Sequence, residues 1–185
     1  DRTRAFLEKT VKKIYAAMQA TAREVCAAFP ELDNYFPDEI AFVTTQELED
    51  RYPGLTPKER ERACVKEYGA AFIMCIGGKL RSGQKHDGRS PDYDDWNLNG
   101  DIVLYYPPLD CAFELSSMGI RVDEKSLLAQ LEAVEAFFRL ALPFHKALAA
   151  GELPLTMGGG IGQSRLCMFL LNKVHVGEVQ VSVWD

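Results

Sequence analysis

Apolar residues recur every three or four positions near the start of the chain, which is the spacing of one face of an amphipathic helix. The pattern runs from Arg4 to Phe29 and predicts a helix over that range. A second helix is predicted in "LTPKERERACVKEYG", where Thr56 can cap the first turn, Pro57 suits the first helical position and Glu59 completes a capping box. Between the two, "TQELEDRYP" predicts a brief helix.

Several apolar runs predict the strands of a sheet. The run "AAFIMCIG", residues 70–77, is apolar throughout, which is typical of an interior strand. The segments "DIVLYY" and "CAFELSSMGIRV" stand on either side of a Pro-Pro turn and predict an antiparallel hairpin. Shorter strands are expected in "FPDEIAFV" and "LPLTMGGGIG". Residues 78–100 are rich in glycine, proline and charge, so a long loop is expected there.

Two further helices are predicted in the last third of the chain. Asp123 is expected to cap a helix over Ser126–Leu142, which Pro143 ends, and another helix is expected over Ser164–Leu171. No repeat, linker or low-complexity segment divides the sequence. The chain is therefore expected to form a single α+β domain, a mostly antiparallel sheet flanked by helices.

Composition and charge argue against some classes of function. Of 185 residues, 47% are hydrophobic and 26% charged, and no apolar run approaches the ~18 residues of a membrane helix. The net charge of −6 argues against a nucleic-acid partner. No CxxC occurs, so neither a zinc site nor a disulfide framework is indicated. We expect a cytoplasmic protein with reduced, mostly buried thiols. The cysteines are Cys26, Cys64, Cys75, Cys111 and Cys167.

The stretch "TMGGGIGQSRLCMFLL" carries four glycines immediately before a predicted helix. Glycines let the backbone approach a ligand closely, and the start of a helix presents free N–H groups that favour an anion such as phosphate. The stretch matches neither GxGxxG nor the P-loop, and tight packing alone is an alternative. Arg165, in the first turn, has the forked geometry of a phosphate ligand, and a surface ion pair is the alternative for it.

The predicted hairpin places two carboxylates near this stretch. Asp101 opens one strand, and Glu114 stands among apolar residues of the next, where a carboxylate is costly unless it is paired or bound to a metal. Two hard oxygen donors beside a phosphate site would suit Mg²⁺, whereas ordinary solvent-facing alternation is the alternative. Arg121 would point to the opposite face of the sheet unless a bulge at Ser116–Gly119 re-aims it.

The loop segment "KHDGRSPDYDDW" is the third candidate for function. Long polar loops in compact domains tend to be functional, and a solvated acidic loop is the alternative. Asp94 lies in this segment, and His86 is interpreted as a surface imidazole unless the loop has a function. His145 and His175 are interpreted as structural.

Together these segments resemble a known family. "GGGIGQSRLCMFLL" resembles motif 3 of the class II aminoacyl-tRNA synthetase fold, and "FELSSMGIRV" resembles the preceding strand in the aspartyl and asparaginyl branch. The combination of "FPDEIAFVTTQEL", "IGGKLRSGQKHDGRSPDYDDW", "LNGDI" and "FELSSMGIRVD" is narrower. It closely resembles the ammonia-dependent asparagine synthetases of type A, the aspartate–ammonia ligases, over essentially the whole chain.

The resemblance implies an ATP-dependent ligation in a class II synthetase-like catalytic core. The side-chain carboxylate of L-aspartate would attack the α-phosphate of ATP, giving β-aspartyl-AMP and pyrophosphate, and ammonia would then displace AMP to give L-asparagine. The implied cofactors are ATP and Mg²⁺. The implied enzyme is a cytoplasmic homodimer with small-molecule substrates and neither a nucleic-acid nor a membrane partner.

The resemblance also implies roles for residues that bind the nucleotide. Arg165 would hold the triphosphate tail and act in catalysis, and Gly160 and Gly162 would give backbone access to the nucleotide. Asp101 and Glu114 would bind Mg²⁺-ATP.

Three further residues complete the implied site. Ser117 would assist the two carboxylates. Arg121 would hold a substrate carboxylate, and Asp94 would face the nucleotide or the substrate, both as catalytic residues. The loop Arg81–Asn99 is expected to be mobile without ligand and to order over the bound substrates, bringing Asp94 inward.

The chain departs from the family pattern in two respects. It corresponds to the C-terminal part of the family, so residues 1–185 are expected to form one catalytic domain of a longer synthetase. Family members also have a longer loop between "DDW" and "LNG", which suggests a closed-up gap near residues 96–98. Two other functions stay open, an aspartyl- or asparaginyl-tRNA synthetase core and a non-catalytic synthetase paralogue that acts as a binding module.

Overall fold

A single five-stranded sheet organises the computed structural model, which describes residues 1–181. The strands lie side by side in chain order. They are β1 (Ala41–Thr44), β2 (Ala70–Met74), β3 (Asp94–Tyr106), β4 (Cys111–Arg121) and β5 (Met157–Ile161). The β1–β2 pair is parallel and the other three pairs are antiparallel, which confirms the predicted α+β fold with a mostly antiparallel sheet.

Six α-helices flank the sheet within residues 1–181. They are α1 (Arg4–Ala28), α2 (Thr45–Arg51), α3 (Pro57–Tyr68), α4 (Glu124–Ala133), α5 (Pro143–Ala149) and α6 (Gln163–Leu170). The capping box predicted for α3 is present, since the Thr56 side chain accepts from the Glu59 amide and the Glu59 carboxylate accepts from the Thr56 amide. In this part of the chain, no helix combines the length and the apolar character needed to cross a bilayer.

The two faces of the sheet are covered differently. Helices α1 and α6 pack on one face, where their apolar side chains join those of the strands in the largest core cluster, with members such as Leu7, Phe72, Met118 and Phe169. On the other face, α2 and α3 cover β1, β2 and part of β3 with a smaller cluster. The rest of that second face, along β4 and β5, is left for polar side chains.

The predicted loop over residues 78–100 is wrong in its last part, because β3 already begins at Asp94. This polar segment is a strand, and its side chains form hydrogen bonds with residues that are distant in the sequence. The Asn99 amide, for example, is fully buried and bonds both the N–H and the carbonyl of Ile76, at 2.9 and 2.8 Å. Pairing with β4 is irregular here, since Asp94 pairs with Arg121 and Asn99 with Gly119, so residues 95–98 form a bulge in β3.

The helix predicted over Ser126–Leu142 is also too long. Helix α4 is capped by Asp123 as expected but ends at Ala133, and a 3₁₀ segment follows at Phe137–Ala141. Glu135 has a φ of 55°, which turns the chain so that Ala136 bonds back to the Leu131 carbonyl at 2.8 Å. Ala136 thereby joins a third apolar cluster with Leu131 and Leu148. Tertiary packing overrides the local helical pattern.

The expectation of mostly buried thiols is wrong. All five cysteines are free, but only Cys64 is buried. Cys167 is exposed on α6, and the other three are half-buried.

Candidate active site

A β-bulge in β4 decides which side chains share the open face of the sheet. Asp101 pairs with Ser117 and Val103 pairs with Glu114, so Leu115 is an extra residue between them. The bulge lies just before the predicted stretch Ser116–Gly119 and has the predicted effect. Because it shifts the alternation by one residue, Glu114, Ser117 and Arg121 all belong to the same face.

A cavity of about 360 Å³ opens where β4, β5 and the start of α6 meet. Its lining residues come from two segments far apart in the chain, Glu114–Ser117 and residues 160–165. Five residues named from the sequence line this cavity together, namely Glu114, Ser117, Gly160, Gly162 and Arg165. Asp101 lies beside it as the register partner of Ser117.

Arg165 and Glu114 face each other across this cavity. Arg165 Nη1 donates to the Glu114 carbonyl oxygen at 3.2 Å and lies 3.4 Å from Glu114 Oε1. Both side chains are substantially exposed, at 54% and 38%, so the pair contributes at most about 1 kcal/mol. Arg165 thus takes part in an exposed ion pair, the alternative given for it from the sequence. Such a weak pair can yield to a phosphate.

Asp101 is a buried carboxylate of the site. It forms an ion pair with Arg89, a residue of the loop before β3. Burial raises the pKa of the Asp101 carboxyl to about 6; the nearby Glu114 carboxylate adds to the rise, and Arg89 and Ser117 oppose it. Perturbed carboxylates of this kind cluster at functional sites.

The third group of polar side chains lies at the far end of the same face. Arg121 forms an ion pair with the buried Asp94 carboxylate, its Nη2 donates to the Tyr93 hydroxyl at 2.9 Å, and its guanidinium lies 3.8 Å from the centre of the Tyr93 ring. Burial raises the pKa of Asp94, and Arg121 opposes the rise. A Cβ atom at Gly158 would collide with the Arg121 guanidinium, so a side chain there would displace this group.

The glycines of this stretch lie in β5 and at the start of α6. Gly158 and Gly160 belong to β5, which confirms the short strand predicted in "LPLTMGGGIG". A Cβ at Gly160 would meet nothing within 4 Å, which leaves open space on the lining of the cavity. Gly162 donates its N–H to the Leu115 carbonyl at 2.9 Å, so that donor is engaged in the sheet. Since Gly162 offers no capping side chain, the first turn of α6 is uncapped beside the cavity.

The sequence did not identify Arg89 as a site residue, because its contact with Asp101 depends on how the loop folds. One indirect indication was present in the sequence, because a carboxylate buried in a strand, such as Asp101, needs a cation as its partner. The interpretation of His86 as a surface imidazole is wrong, since the ring is buried with Nε2 at 3.0 Å from Glu61 Oε1. His145 is structural as predicted, with Nε2 at 2.9 Å from Asp92 Oδ2.

The donor set limits what metal the site could hold. Within residues 1–181 no group of three or more His, Cys, Asp or Glu side chains converges on one point. The face offers two carboxylates, Asp101 and Glu114, and the Ser117 hydroxyl. Oxygen donors of this number fit a cation that brings most of its ligands with it, as Mg²⁺ does when phosphates hold it.

Comparison with known proteins assigns the chain to a family. The sequence profile of the aspartate-ammonia ligases matches residues 1–185. The chain belongs to the aspartate-ammonia ligase family. This confirms the resemblance drawn from the motifs.

Curated relatives carry the same family name. The aspartate–ammonia ligase of Clostridium perfringens (strain 13 / Type A) is 62% identical over 179 residues, covering 97% of this chain and 53% of that protein. That of Fusobacterium nucleatum subsp. nucleatum is 56% identical over 185 residues, covering 100% of this chain and 57% of that protein. The chain thus spans about half the length of the curated relatives it matches.

Solved structures with the same fold are asparaginyl-tRNA synthetases. The enzyme of Entamoeba histolytica matches with a TM-score of 0.61 and 15% identity, covering 96% of this chain and 44% of that one. Its complex with asparaginyl-adenylate gives a TM-score of 0.63 at 14% identity, covering 94% and 43%. These likenesses confirm the class II synthetase-like fold.

Proposed function

We propose that the chain carries the ATP-binding and aspartate-activating site of an aspartate–ammonia ligase, with β-aspartyl-AMP as the intermediate. The observation that carries the proposal is the cavity lined by Glu114, Ser117, Gly160 and Arg165, with Asp101 beside it. It combines a forked cation, an uncapped helix start and two oxygen donors, which is the chemistry that a nucleoside triphosphate requires.

The reaction proceeds in two steps. A β-carboxylate oxygen of L-aspartate attacks the α-phosphorus of ATP, the bond from that phosphorus to the bridging oxygen breaks, and pyrophosphate leaves. Ammonia then attacks the acyl carbon of β-aspartyl-AMP, the acyl C–O bond breaks, and AMP leaves with that oxygen as asparagine forms. The attacking nitrogen loses one proton to a general base as the amide forms.

In the first step Arg165 binds the triphosphate tail and stabilises the charge that develops as pyrophosphate leaves. The open space beside Gly160 lets the nucleotide lie close to the protein backbone. Asp101 and Glu114, assisted by Ser117, would hold Mg²⁺. When bound there, Mg²⁺ would neutralise charge on the phosphate oxygens.

Arg121 and Asp94 form the amino-acid end of the site. A guanidinium binds a carboxylate through two parallel hydrogen bonds, and the adjacent Asp94 carboxylate suits the α-ammonium group of the same substrate. Their position on the same sheet face as Glu114 supports this orientation, with the β-carboxylate of aspartate directed toward the nucleotide. The complex of the Entamoeba histolytica synthetase with asparaginyl-adenylate supports the use of this fold for acyl-adenylates.

Incubation of the full-length protein with ¹⁵N-ammonia, L-aspartate and Mg-ATP, in the absence of tRNA, tests the proposal. We expect ¹⁵N in the side-chain amide of asparagine, and equimolar AMP. Formation of aspartyl- or asparaginyl-tRNA on addition of tRNA, with no free asparagine, would indicate a synthetase core. Absence of both products despite nucleotide binding would indicate a binding module. The homodimer stays a prediction.

A further inference from the structure

Arg2 lies just before α1 and is held in place by that helix. Thr3 caps α1, accepting from the Phe6 amide at 3.2 Å, and the helix buries Leu7 and Val11 against the back of the sheet. The Arg2 side chain is only 18% exposed. The packed helix therefore anchors the backbone next to Arg2, and the long Arg2 side chain is largely buried rather than free at the surface.

The Arg2 guanidinium connects three segments that meet at the far end of the site. Nη2 lies 2.6 Å from Asp95 Oδ2 at the start of β3, and Nε lies 3.0 Å from Asp123 Oδ2 at the cap of α4. Nη1 donates to the backbone carbonyl of Arg121 at the end of β4. A guanidinium has five N–H donors in one plane, which is what allows one side chain to make these contacts at once.

Two of these contacts are made at or next to the Asp94–Arg121 pair, to which the proposed function assigns aspartate binding. Asp95 directly follows Asp94, and the carbonyl that accepts from Arg2 is that of Arg121 itself. The Arg121 amide is bound on its other side to the Thr156 carbonyl at 2.9 Å. The Arg121 backbone is thus held on both sides, and Arg2 also binds the side chain of Asp95 next to Asp94, so Arg2 contacts both strands.

We propose that Arg2 is a positioning residue for aspartate binding, which holds Asp94 and Arg121 at the separation that the α-amino and α-carboxylate groups require. The proposal rests on the proposed function of this pair. Arg2 itself does not contact substrate. Its removal misplaces the pair, and small misplacements of binding groups cost large factors in rate or affinity.

Steady-state kinetics of Arg2→Met, Arg2→Lys and the control Arg4→Met in the full-length protein test this. Arg4 belongs to the same stretch but is exposed and pairs with Glu8, at 2.7 Å. We expect Arg2→Met to raise KM for L-aspartate by about tenfold or more, with KM for ATP changed less than about twofold. Arg2→Lys should recover part of the loss, since a point charge can satisfy one partner but not three, and Arg4→Met should behave as wild type.

An unchanged KM for aspartate in Arg2→Met, or an equal rise in both KM values, would overturn the proposal, because a merely structural residue does not discriminate between substrates. If Arg2→Met does not fold, Asp95→Asn gives the same comparison. If the wild-type protein shows no aspartate-dependent turnover, the proposed function fails. The NMR signal of Arg121 Nε–H then decides the positioning claim: it should shift or broaden in Arg2→Lys, and an unchanged signal would contradict it.

Discussion

Asp101 combines burial, a neighbouring carboxylate and a single paired arginine. Because its pKa is raised to about 6 in the folded state, this group favours the fold below its unfolded pKa and loses that contribution as the pH rises through 6. A bound cation would remove the penalty. Burial of the ionised Asp101 carboxylate thus costs stability, and active sites commonly carry such a cost.

Binding of Mg-ATP should therefore depend on pH. As Asp101 ionises between pH 5 and 7, we expect the Kd for Mg-ATP to fall by about tenfold, with proton release near pH 6. Isothermal titration calorimetry in two buffers of different ionisation enthalpy measures both quantities. Asp101→Asn is the control, since it retains the titration of ATP itself. The same pH dependence in this variant would exclude Asp101 as its source.

Arg165→Ala should raise KM for ATP and lower turnover, costing about 2–4 kcal/mol of transition-state binding. The reason is that Arg165 is the cation that lines the cavity, and its ion pair with Glu114 is weak enough for a phosphate to displace. Steady-state kinetics with varied ATP measure the effect. Arg62→Ala is a matched control, because Arg62 is an exposed arginine on α3 with a surface partner, Asp110. Equal kinetics of Arg165→Ala and Arg62→Ala would show that Arg165 is an ordinary surface residue without a role in ATP binding.

Mg²⁺ dependence should be affected more by Glu114→Gln than by Asp101→Asn. Glu114 lines the cavity directly, whereas Asp101 already has Arg89 as a counter-ion. Mg²⁺ titrations of activity in the two variants make the comparison. Normal Mg²⁺ affinity and rate in Glu114→Gln would refute its assignment as a metal ligand.

At the scale of elements, the loop before β3 is better anchored than its composition suggests. The Ser82 hydroxyl donates to Glu49 Oε1 at 2.6 Å, and His86 contacts Glu61. The Gln130 side chain, from α4, donates to the carbonyls of Pro91 and Asp94 and accepts from the Trp96 amide. The Asp94 side chain at the start of β3 is buried.

Hydrogen exchange can separate the anchored part of this loop from any mobile part. We expect amides of residues 94–101 to be protected without ligand, because they belong to β3, and amides of residues 87–90 to gain protection on addition of AMP and asparagine. Equal protection of residues 87–90 with and without AMP and asparagine would mean that this part of the loop does not change its conformation when ligands bind. Fast exchange throughout residues 81–99 without ligand would instead support the fully mobile lid expected from the sequence.

Local patterns predicted some elements well and others poorly, for physical reasons. Helices α1 and α3 follow from apolar periodicity and a capping box, both of which are local. The start of β3 could not be predicted, because its polar residues are satisfied by Arg121 and by the backbone of Ile76, far away in the sequence. The early end of α4 follows from packing of Ala136, which no local propensity encodes.

At the scale of the whole molecule, the sheet brings together chemistry that is scattered along the chain. The residue types of Asp101, Glu114 and Arg165, each read in its local sequence, indicate a nucleotide site. Their convergence depends on the bulge at Leu115, and the place of that bulge was only approximately predictable from Gly119. No local feature of the sequence marks Arg89 or Arg2 as a site residue, so only the fold reveals their contacts.

The central claim is that this site joins the β-carboxylate of aspartate to the α-phosphate of ATP. L-Aspartate labelled with ¹⁸O in its β-carboxylate tests it most directly, in a reaction of the full-length protein with Mg-ATP and ammonia. Because the acyl C–O bond breaks in the second step, the account predicts one ¹⁸O atom in the phosphate of AMP, detected by its isotope shift in the ³¹P NMR spectrum. AMP without label, or formation of ADP together with labelled inorganic phosphate, would contradict it.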